Sequence, residues 1–481
     1  MRYVSFLAVP LLLALAACAV GPHYSPPRSA ASEHWAAPAD TAPVDVDWWE
    51  SLDDPLLSEL VKTAVTGNLD LKEAEARLRE ARANRDAVAG QRLPQLDASG
   101  SAARNRVSEN GEIPLQRIPG FQRDLWLFDA GFDASWEVDL WGHQRRAVEA
   151  AVARAAAAGD ARHDTMMRVI AEVVRSYVDL RSAQEQRRSV LSDAVAQEGI
   201  AKLVNDRYRA GESSRFDFVR ADAQASTTRA AIPGLDADAH AAAYRLALLI
   251  GQPPEALEDR LLAAATLPQS PVTVSAGLRS DLLRRRPDVR QAERELAAAT
   301  ADVGVATAEL FPRLSLVGSI GQEAQHGGDL PSASSMQFSV GPSLHWPIFA
   351  GGSIRANIRA ADARADAAGA RYESAVLTAL SDSETALNRF AATQRTERDR
   401  DVARQQTADA WTLANQRYRA GEDDLIVLLD AQSAYSTAEQ QSIAAKAARL
   451  DAMVALYKAL GGGWEGFEIK RAAQEERSTI D

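Results

Sequence analysis

The chain of 481 residues has a single cysteine, Cys18, so an intrachain disulfide framework is excluded. Aromatic residues are sparse at 6%, while alanine runs are frequent. That mixture suits long, closely packed helices better than a large mixed α/β core. Basic charge is not in excess: 54 Lys and Arg stand against 66 Asp and Glu, a formal net charge of −12. A nucleic-acid partner, which wants a basic face, is not expected. The seven histidines (His23, His34, His143, His163, His240, His326, His345) include no His-x-x-x-His pair and no nearby cysteine. No metal site is expected from them. The glycine runs Gly351-Gly352 and Gly461-Gly462-Gly463 lack the following lysine of a phosphate loop and read as turns. No catalytic residue and no cofactor is therefore expected.

What is present begins with a positive start, Met1-Arg2, and an apolar run from Phe6 to Ala17. The run is too short to span a membrane as a stable helix and has the layout of a secretory signal. In the plainer reading it is cut near Ala17 and Cys18 is incidental. In the sharper one, Leu15-Ala16-Ala17-Cys18 resembles a bacterial lipobox, and Cys18 is the acylated first residue of the mature protein. Ala19 is not the aspartate associated with inner-membrane retention, so that resemblance implies outer-membrane sorting. Acyl chains anchor a protein without spanning anything, and acylation would consume the only thiol, excluding cysteine catalysis.

The chain is written twice. Asn205-Asp206-Arg207-Tyr208-Arg209-Ala210-Gly211-Glu212 recurs as Asn415-Gln416-Arg417-Tyr418-Arg419-Ala420-Gly421-Glu422, and Ala221-Asp222-Ala223-Gln224 answers Leu429-Asp430-Ala431-Gln432. Upstream, Leu69 to Glu75 matches Pro287 to Glu293, and Leu93-Pro94-Gln95-Leu96 pairs with Phe311-Pro312-Arg313-Leu314. The offset stays near 210 to 218 residues, far too long for a solenoid. Each copy has one inner order: a helix, a proline, two alternating segments, a long helix, the Arg-Tyr-Arg-Ala-Gly-Glu turn and a returning helix. The expected organisation is a signal peptide at 1–17, a lipidated segment at 18–55 and a tail at 465–481. Between them lie a first repeat at 56–265, with a hairpin about 95–141 and a tip about 207–216, and a second at 275–464, with a hairpin about 313–348 and a tip about 417–426.

The clearest strand runs from Phe128 to Leu140, with Phe128, Ala130, Phe132, Ala134, Trp136, Val138 and Leu140 on one face and Asp129, Gly131, Asp133, Ser135, Glu137 and Asp139 on the other. Its counterpart is Phe338 to Ile348; the weaker partners are Leu96 to about Val107 and Leu314 to about Gln322. These lengths suit tilted strands crossing a bilayer. The plainer alternative is a soluble sandwich edge. Against it, four strands cannot close a barrel, and an open edge is not tolerated in lipid. Membrane barrels start at eight strands, so a homo-oligomer is favoured, of two copies with a filled interior or three with a lumen.

From His143 to about Tyr208 no proline interrupts the chain, roughly 100 Å of single helix at 1.5 Å per residue. Ile170, Val173, Val174, Tyr177, Leu180, Val190, Leu191 and Val195 keep helical spacing, and the second copy runs similarly from about Ile354 to Tyr418. Such length means a coiled coil, a membrane span or a repeat array, and the charge density excludes the span. Gly211 and Gly421 read as C-caps joining antiparallel helices. Arg284-Arg285-Arg286 reads as a helix-start basic cluster, on a surface away from the tips or pairing protomers.

These residues resemble the TolC-like outer membrane factors, in particular the NodT and OprM type lipoprotein branch, over nearly all of the mature chain. Cys18 to Pro27, Trp48 to Leu57, Leu283 to Arg290, Trp346 to Gly352 and Leu460 to Trp464 carry the likeness in order. The resemblance implies a mainly α fold with a transmembrane β portion: long coiled-coil-like helices forming an α-barrel, and four strands per protomer contributing to a 12-stranded barrel of a homotrimer. It places the chain in the outer membrane, lipid-anchored and extending into the periplasm, as the exit duct of a tripartite efflux system. Its implied partners are outer-membrane lipid, a periplasmic adaptor and an inner-membrane pump of the resistance-nodulation-division class. It implies adaptor docking at Arg209, Ala210, Gly211, Glu212, Arg419, Ala420, Gly421 and Glu422. It also places the periplasmic gate over Leu425 to Gln432, where Ile426 and Asp430 are i and i+4 on one helical face. An alternative role for the same architecture is an exit duct for secreted proteins. Another is a poreless structural coiled-coil lipoprotein, which the alternation at 128–140 and 338–348 argues against.

Overall fold

The computed structural model describes residues 19–26, 34–37, 40–108, 123–271 and 273–469; the signal segment, Cys18 and the tail beyond 469 lie outside the described residues. In chain order the main elements are α1 (Pro55–Gly67), α2 (Leu69–Gly90), β1 (Gln95–Arg106), β2 (Asp124–Val138), α3 (His143–Arg209), α4 (Arg215–Ala230) and α5 (Ile232–Leu249). There follow α6 (Glu258–Leu261), α7 (Arg279–Arg285), α8 (Pro287–Ala308), β3 (Arg313–Ala324), β4 (Met336–His345), α9 (Ser353–Ala420) and α10 (Leu425–Ala459). Three pairs of corresponding elements match closely in length, while β2 and β4 differ, at 15 and 10 residues. The helices α2 and α8 have 22 residues each, β1 and β3 have 12, and α3 and α9 have 67 and 68.

Local chemistry sets the helix starts. Asp54 caps α1, its carboxylate accepting from the backbone N–H of Leu56 and Leu57, and Pro55 stands in the first turn where its missing N–H costs nothing. The copies differ on the return. In the second, α10 is a single helix of 35 residues. In the first, the return breaks at Ala231 into α4 and α5. Pro233 lacks the N–H that a continuous helix needs and crowds the preceding turn, so the expected uninterrupted helix holds in one copy only. Among the described residues no helix is long and apolar enough to cross a membrane.

The chain divides into two compact units. The first comprises residues 1–27, 79–157 and 292–372 and contains the sheet, antiparallel in the order β1-β2-β3-β4. The two expected hairpins are thus joined, β2 pairing β3 from Phe128↔Ala324 to Val138↔Leu314. Strand ends shift from expectation. The second strand begins four residues earlier at Asp124 and stops at Val138, where Leu140 N–H turns back to the Val138 carbonyl at 2.8 Å. The fourth stops at His345, before Trp346-Pro347-Ile348, because Pro347 cannot donate to a ladder.

Register sorts the side chains into cross-sheet rows. Ala98, Phe132, Ile320 and Phe338 form one row, and Leu96, Ala134, Gly318 and Val340 the next. Phe338 is 74% exposed in the single chain. The opposite face carries Asp97, Asp133, Ser319 and Ser339 in one row and Ser101, Asp129 and Glu323 in another. At the feet of the strands the tryptophans bond to backbone: Trp136 Nε1 donates to the Arg92 carbonyl at 3.0 Å and Trp346 Nε1 to that of Leu310 at 3.1 Å. Trp141 stacks on Phe311 at 4.7 Å. Amphipathic rings at strand ends suit a membrane interface. The N-terminal strap is seated here too. Val20 N–H donates to the Trp141 carbonyl at 3.0 Å, and buried Arg146 donates to the Val20 carbonyl at 3.3 Å. Gly21, at φ +88, passes so close to Gly304 that a Cβ would lie 2.5 Å from its Cα.

The second unit comprises residues 28–78, 158–291 and 373–481. The arginine run closes α7 and leads straight into α8, whose first backbone bond runs from Arg290 N–H to the Arg286 carbonyl at 3.2 Å, as the helix-start reading expects; only Arg284 is exposed. Arg285 pairs with Glu465 at 2.9 Å. Arg286 is buried, forking onto Asp288 at 3.0 and 2.7 Å and reaching Asp382 and the Ala459 carbonyl, each at 3.3 Å. It is an internal tether, not a surface cluster or a link between protomers.

The segment after Trp464 is clamped by charge. Trp464 stacks on His163 at 4.3 Å, and Arg162 donates to Glu468 at 2.7 Å. The His163 ring lies 3.8 Å from Asp160 and 3.7 Å from Glu468, charge contacts rather than hydrogen bonds. Burial opposes the charged ring, yet these carboxylates outweigh it and raise His163 above its ordinary pKa. His163 and Arg162 together lower Glu468 to about 2.

Two outcomes follow from these contacts. Phe132→Arg puts a charge on the apolar face and is expected to cost about 2–4 kcal/mol in a bilayer, while Ser319→Arg on the other face costs little. Denaturant titration of protein folded into lipid vesicles separates the two. For the clamp, the Glu468 contribution is present above 4.5 and lost as pH falls toward 2, while that of His163 is present below 6.5 and lost as pH rises through its elevated folded value. Proteolysis at 465–469 is therefore expected to be slowest between pH 4.5 and 6.5 and to quicken at alkaline pH; equal rates at pH 6 and pH 9 would contradict the clamp.

Candidate channel neck and helix tips

The two tips are built by one backbone device. In the first, Gly211 stands at φ +82, its N–H donating to the Tyr208 carbonyl at 3.0 Å, and Glu212 N–H donates to that of Arg207 at 2.8 Å. In the second, Gly421 at φ +77 and Glu422 repeat the pattern onto Tyr418 and Arg417 at 3.1 and 3.0 Å. This double bond satisfies the last carbonyls of each long helix, and only glycine adopts the left-handed bend without strain. Arg209, Ala210, Glu212, Arg419, Ala420 and Glu422 are all exposed around the two glycines.

The tips are not equivalent. The first is closed by a capping box, Ser214 Oγ accepting from Asp217 N–H at 3.1 Å and Asp217 Oδ2 accepting from Ser214 N–H at 3.2 Å. The second lacks a side-chain cap; Arg417 instead reaches Asp423 at 2.8 Å. The Arg207 guanidinium lies 4.7 Å over the ring of Tyr418. Tyr418 is accordingly 5% exposed, whereas Tyr208, in the same motif, is 40% exposed. Around them Ile200, Ala201 and Val204 of α3, Ala221 of α4, Ala414 and Tyr418 of α9, and Leu425, Leu428 and Leu429 of α10 form one apolar core.

Ile426 and Asp430 stand apart from that core. Ile426 is 46% exposed, so it is not packing filler in the single chain. Asp430 is exposed and has no hydrogen bond or ion pair among the described residues. The structure also places residues that the repeat reading missed. Helices α4 and α10 start at Arg215 and Leu425, which sets Phe216 at the position of Ile426 and Arg220 at that of Asp430. The match of residues 221–224 with 429–432 is two residues out of step with those starts. Phe216 and Val219 are exposed, as are Ile426 and Val427. The capping serine at 214 was the available signal.

A duplicated chain with long proline-free helices, two glycine-turned tips and four strands with an apolar and an acidic face defines a class, the membrane-inserted ducts. The chain belongs to the outer membrane efflux protein family, whose model matches residues 60–252 and 278–462. It is 32% identical over 470 residues to the pyoverdine export outer membrane protein OpmQ of Pseudomonas aeruginosa, covering 97% of this chain and 98% of that one. It is 31% identical to nodulation protein T of Rhizobium leguminosarum bv. viciae, covering 98% and 96%. Among solved structures, the outer-membrane channel OprN superposes with TM-score 0.86 at 39% identity, covering 93% of this chain and all of that one. The open state of the Neisseria gonorrhoeae MtrE channel superposes with TM-score 0.81 at 28% identity, covering 93% and 99%. The fold is that of the TolC-like channels, and the protein is an outer-membrane efflux channel extending into the periplasm.

In a channel the polar face of the sheet is the lumen face. There Asp97 stands directly opposite Asp133, and Asp129 opposite Glu323, like-charge pairs that cost on the order of 0.5 kcal/mol each. Ser99 Oγ donates to Asp133 at 3.1 Å and Gln337 Nε2 to Asp129 at 3.4 Å, partial compensation only. Replacing Asp97 and Asp133 together by Asn is expected to move the zero-current potential in a salt gradient toward lower cation preference. An unmoved potential would place this acidic face away from the ion path.

Proposed function

We propose that three copies of this chain pool their sheets into a twelve-stranded barrel and their long helices into an α-barrel, making the passive exit duct of a tripartite efflux assembly. The observation that carries this reading is the four-stranded sheet itself. Its outer strands, β1 and β4, each have one partner, and an unpaired ladder is not tolerated in hydrocarbon. Two copies would give eight strands with a filled interior, three give twelve with a bore. The duct is a conduit and not an enzyme.

The sites follow the same division. Cys18 carries the acyl anchor, close along the chain to the strap that Val20 fixes at the foot of β2. The two sets of tip residues, 209–212 and 419–422, receive a periplasmic adaptor, and through it an inner-membrane transporter of the resistance-nodulation-division class. The repeats are taken as 56–265 and 275–464. The cargo is small and amphipathic. OpmQ is named for pyoverdine export, and a Pseudomonas putida relative 28% identical to this chain for toluene efflux. Such names favour small molecules over a secreted-protein duct.

At the neck, three Ile426 side chains form an apolar ring stacked on three Asp430 carboxylates, attracting cations at the narrowest point. Reconstitution into planar bilayers tests the whole reading, since a pore either conducts or does not, and a heat-sensitive trimer on a gel tests the oligomer. Asp430→Ala is expected to raise single-channel conductance and weaken cation preference. Unchanged conductance and preference would remove Asp430 from the neck.

A further inference from the structure

The two junctions where a strand hands over to a long helix are written in register, at one offset of 210 residues. Trp136 answers Trp346, and each donates its Nε1 to a backbone carbonyl. Gly142 at φ +81 answers Gly352 at φ +85, and Arg145 answers Arg355. The first junction is filled. Ala19 of the strap lies so near Gly142 that a Cβ there would stand 2.6 Å from its own, and Val20 is bonded to the Trp141 carbonyl at 3.0 Å. Its charges are also matched. Asp139 accepts from the Arg145 N–H at 2.8 Å, and Glu149 accepts from the Arg146 guanidinium at 2.8 Å.

The second junction repeats the backbone bend without the filling. Nothing lies within 4 Å of a Cβ placed on Gly352, and Ile348 and Phe349 are 84% and 92% exposed. Both acids are gone: Phe349 stands where the first copy has Asp139, and Arg359 where it has Glu149. Arg355 and Arg359 are exposed, i and i+4 on one face of α9. Neither has a hydrogen bond or ion pair among the described residues. A cation in the first turn opposes the helix dipole, so Arg355 gains nothing from α9 itself. The pair is placed for an outside anion.

We propose that the second junction is a phospholipid site: Arg355 and Arg359 hold the phosphate of an anionic lipid of the inner leaflet, and Ile348 and Phe349 rest against its acyl chains where they meet the headgroup. The depth fits. Trp346 marks the membrane boundary, Phe349 follows three residues on, and Arg355 to Arg359 covers about 6 Å of helix rise, a headgroup's thickness. Charge and apolar area together select a lipid, since a soluble anion has no use for Ile348 and Phe349. The first junction points the same way. It is seated by a strap whose preceding residue, Cys18, is the proposed site of acylation, so a tethered lipid at one junction is matched by a free lipid at the other. The inference rests on the reading of the sheet as a membrane wall, not on the number of copies in it.

Native mass spectrometry of the purified protein, with phosphatidylglycerol or phosphatidylcholine titrated into the detergent, counts the lipids retained per chain. One phosphatidylglycerol per chain is expected, held more tightly than phosphatidylcholine. The Arg355→Gln/Arg359→Gln pair should weaken it about thirtyfold, the worth of two arginines at an anionic surface. Phe349→Asp/Arg359→Glu, which writes the acids of the first junction into the second, should lose it altogether. Equal retention by wild type and Arg355→Gln/Arg359→Gln overturns the proposal, and so does displacement of the lipid by an equal concentration of inorganic phosphate. A second measurement needs no arginine variant. Phe349→Cys carries an environment-sensitive dye in phosphatidylcholine/phosphatidylglycerol vesicles, with the wild type, whose one cysteine is Cys18, as background. Stronger quenching by lipid brominated near the headgroup than by aqueous iodide is expected. The reverse puts Phe349 in water, and shielding from both puts it beneath a neighbouring copy; either result overturns the lipid site. The mass spectra also read the number of chains, so a monomer that keeps its lipid sinks the trimer and leaves this site standing.

Discussion

Everything in this protein is subordinate to the unfinished sheet. Within one chain the ladder runs β1-β2-β3-β4 and stops, leaving backbone donors and acceptors along two outer edges. In water such edges are a liability; in hydrocarbon each unpaired group costs several kcal/mol. The rows across the sheet fit only one resolution. Phe132, Ile320 and Phe338 line one face while acids and serines line the other, so the edges have to be closed by further copies with the aromatic face turned to lipid. The membrane is thus the last structural component of the fold.

The helical parts solve a different problem, that of order without bulk. The cores around the tips rest on alanine and medium aliphatics, with Tyr418 as the large buried ring among them. Such packing gives compact staves, but little that is directional. Direction comes from a few polar groups set into it: half-buried Asp193 holding Gln432 and Ser436, and buried Arg286 holding Asp288, Asp382 and the Ala459 carbonyl. Apolar area supplies the adhesion and these groups supply the register.

How much was legible in the sequence divides along the same line. The duplication, the long helices and the tips could be read because their determinants are local: an absence of proline, a glycine forced into a left-handed bend, and alternation from Phe128 onward. The start of β2 could not, because Leu125 and Leu127 fall on the face that Asp129 occupies and their pairing is set by Asn105 and Ala103 on a neighbouring strand. Arg286 read as surface because its partners Asp382 and the Ala459 carbonyl lie 96 and 173 residues away in sequence. Asp193 gave no sign at all, its partner Gln432 being 239 residues distant. Pro233 was visible, yet the helical pattern on either side masked the break it imposes. At the neck, Ile426 and Asp430 came from a motif, while the equivalence of Phe216 and Arg220 needed the observed helix starts.

An eight-residue phrase that differs only at Asp206 and Gln416 ends both long helices, yet its two tyrosines meet different fates, one tucked beneath Arg207 and the other largely exposed. One tip is closed by the Ser214 and Asp217 capping box, and the other is ringed by Glu422, Asp423 and Asp424. In a threefold assembly the six tips therefore sort into two alternating kinds, and a partner that recognised one kind would find three berths, not six. Duplication supplied the number of contacts; divergence at the caps restored the phase.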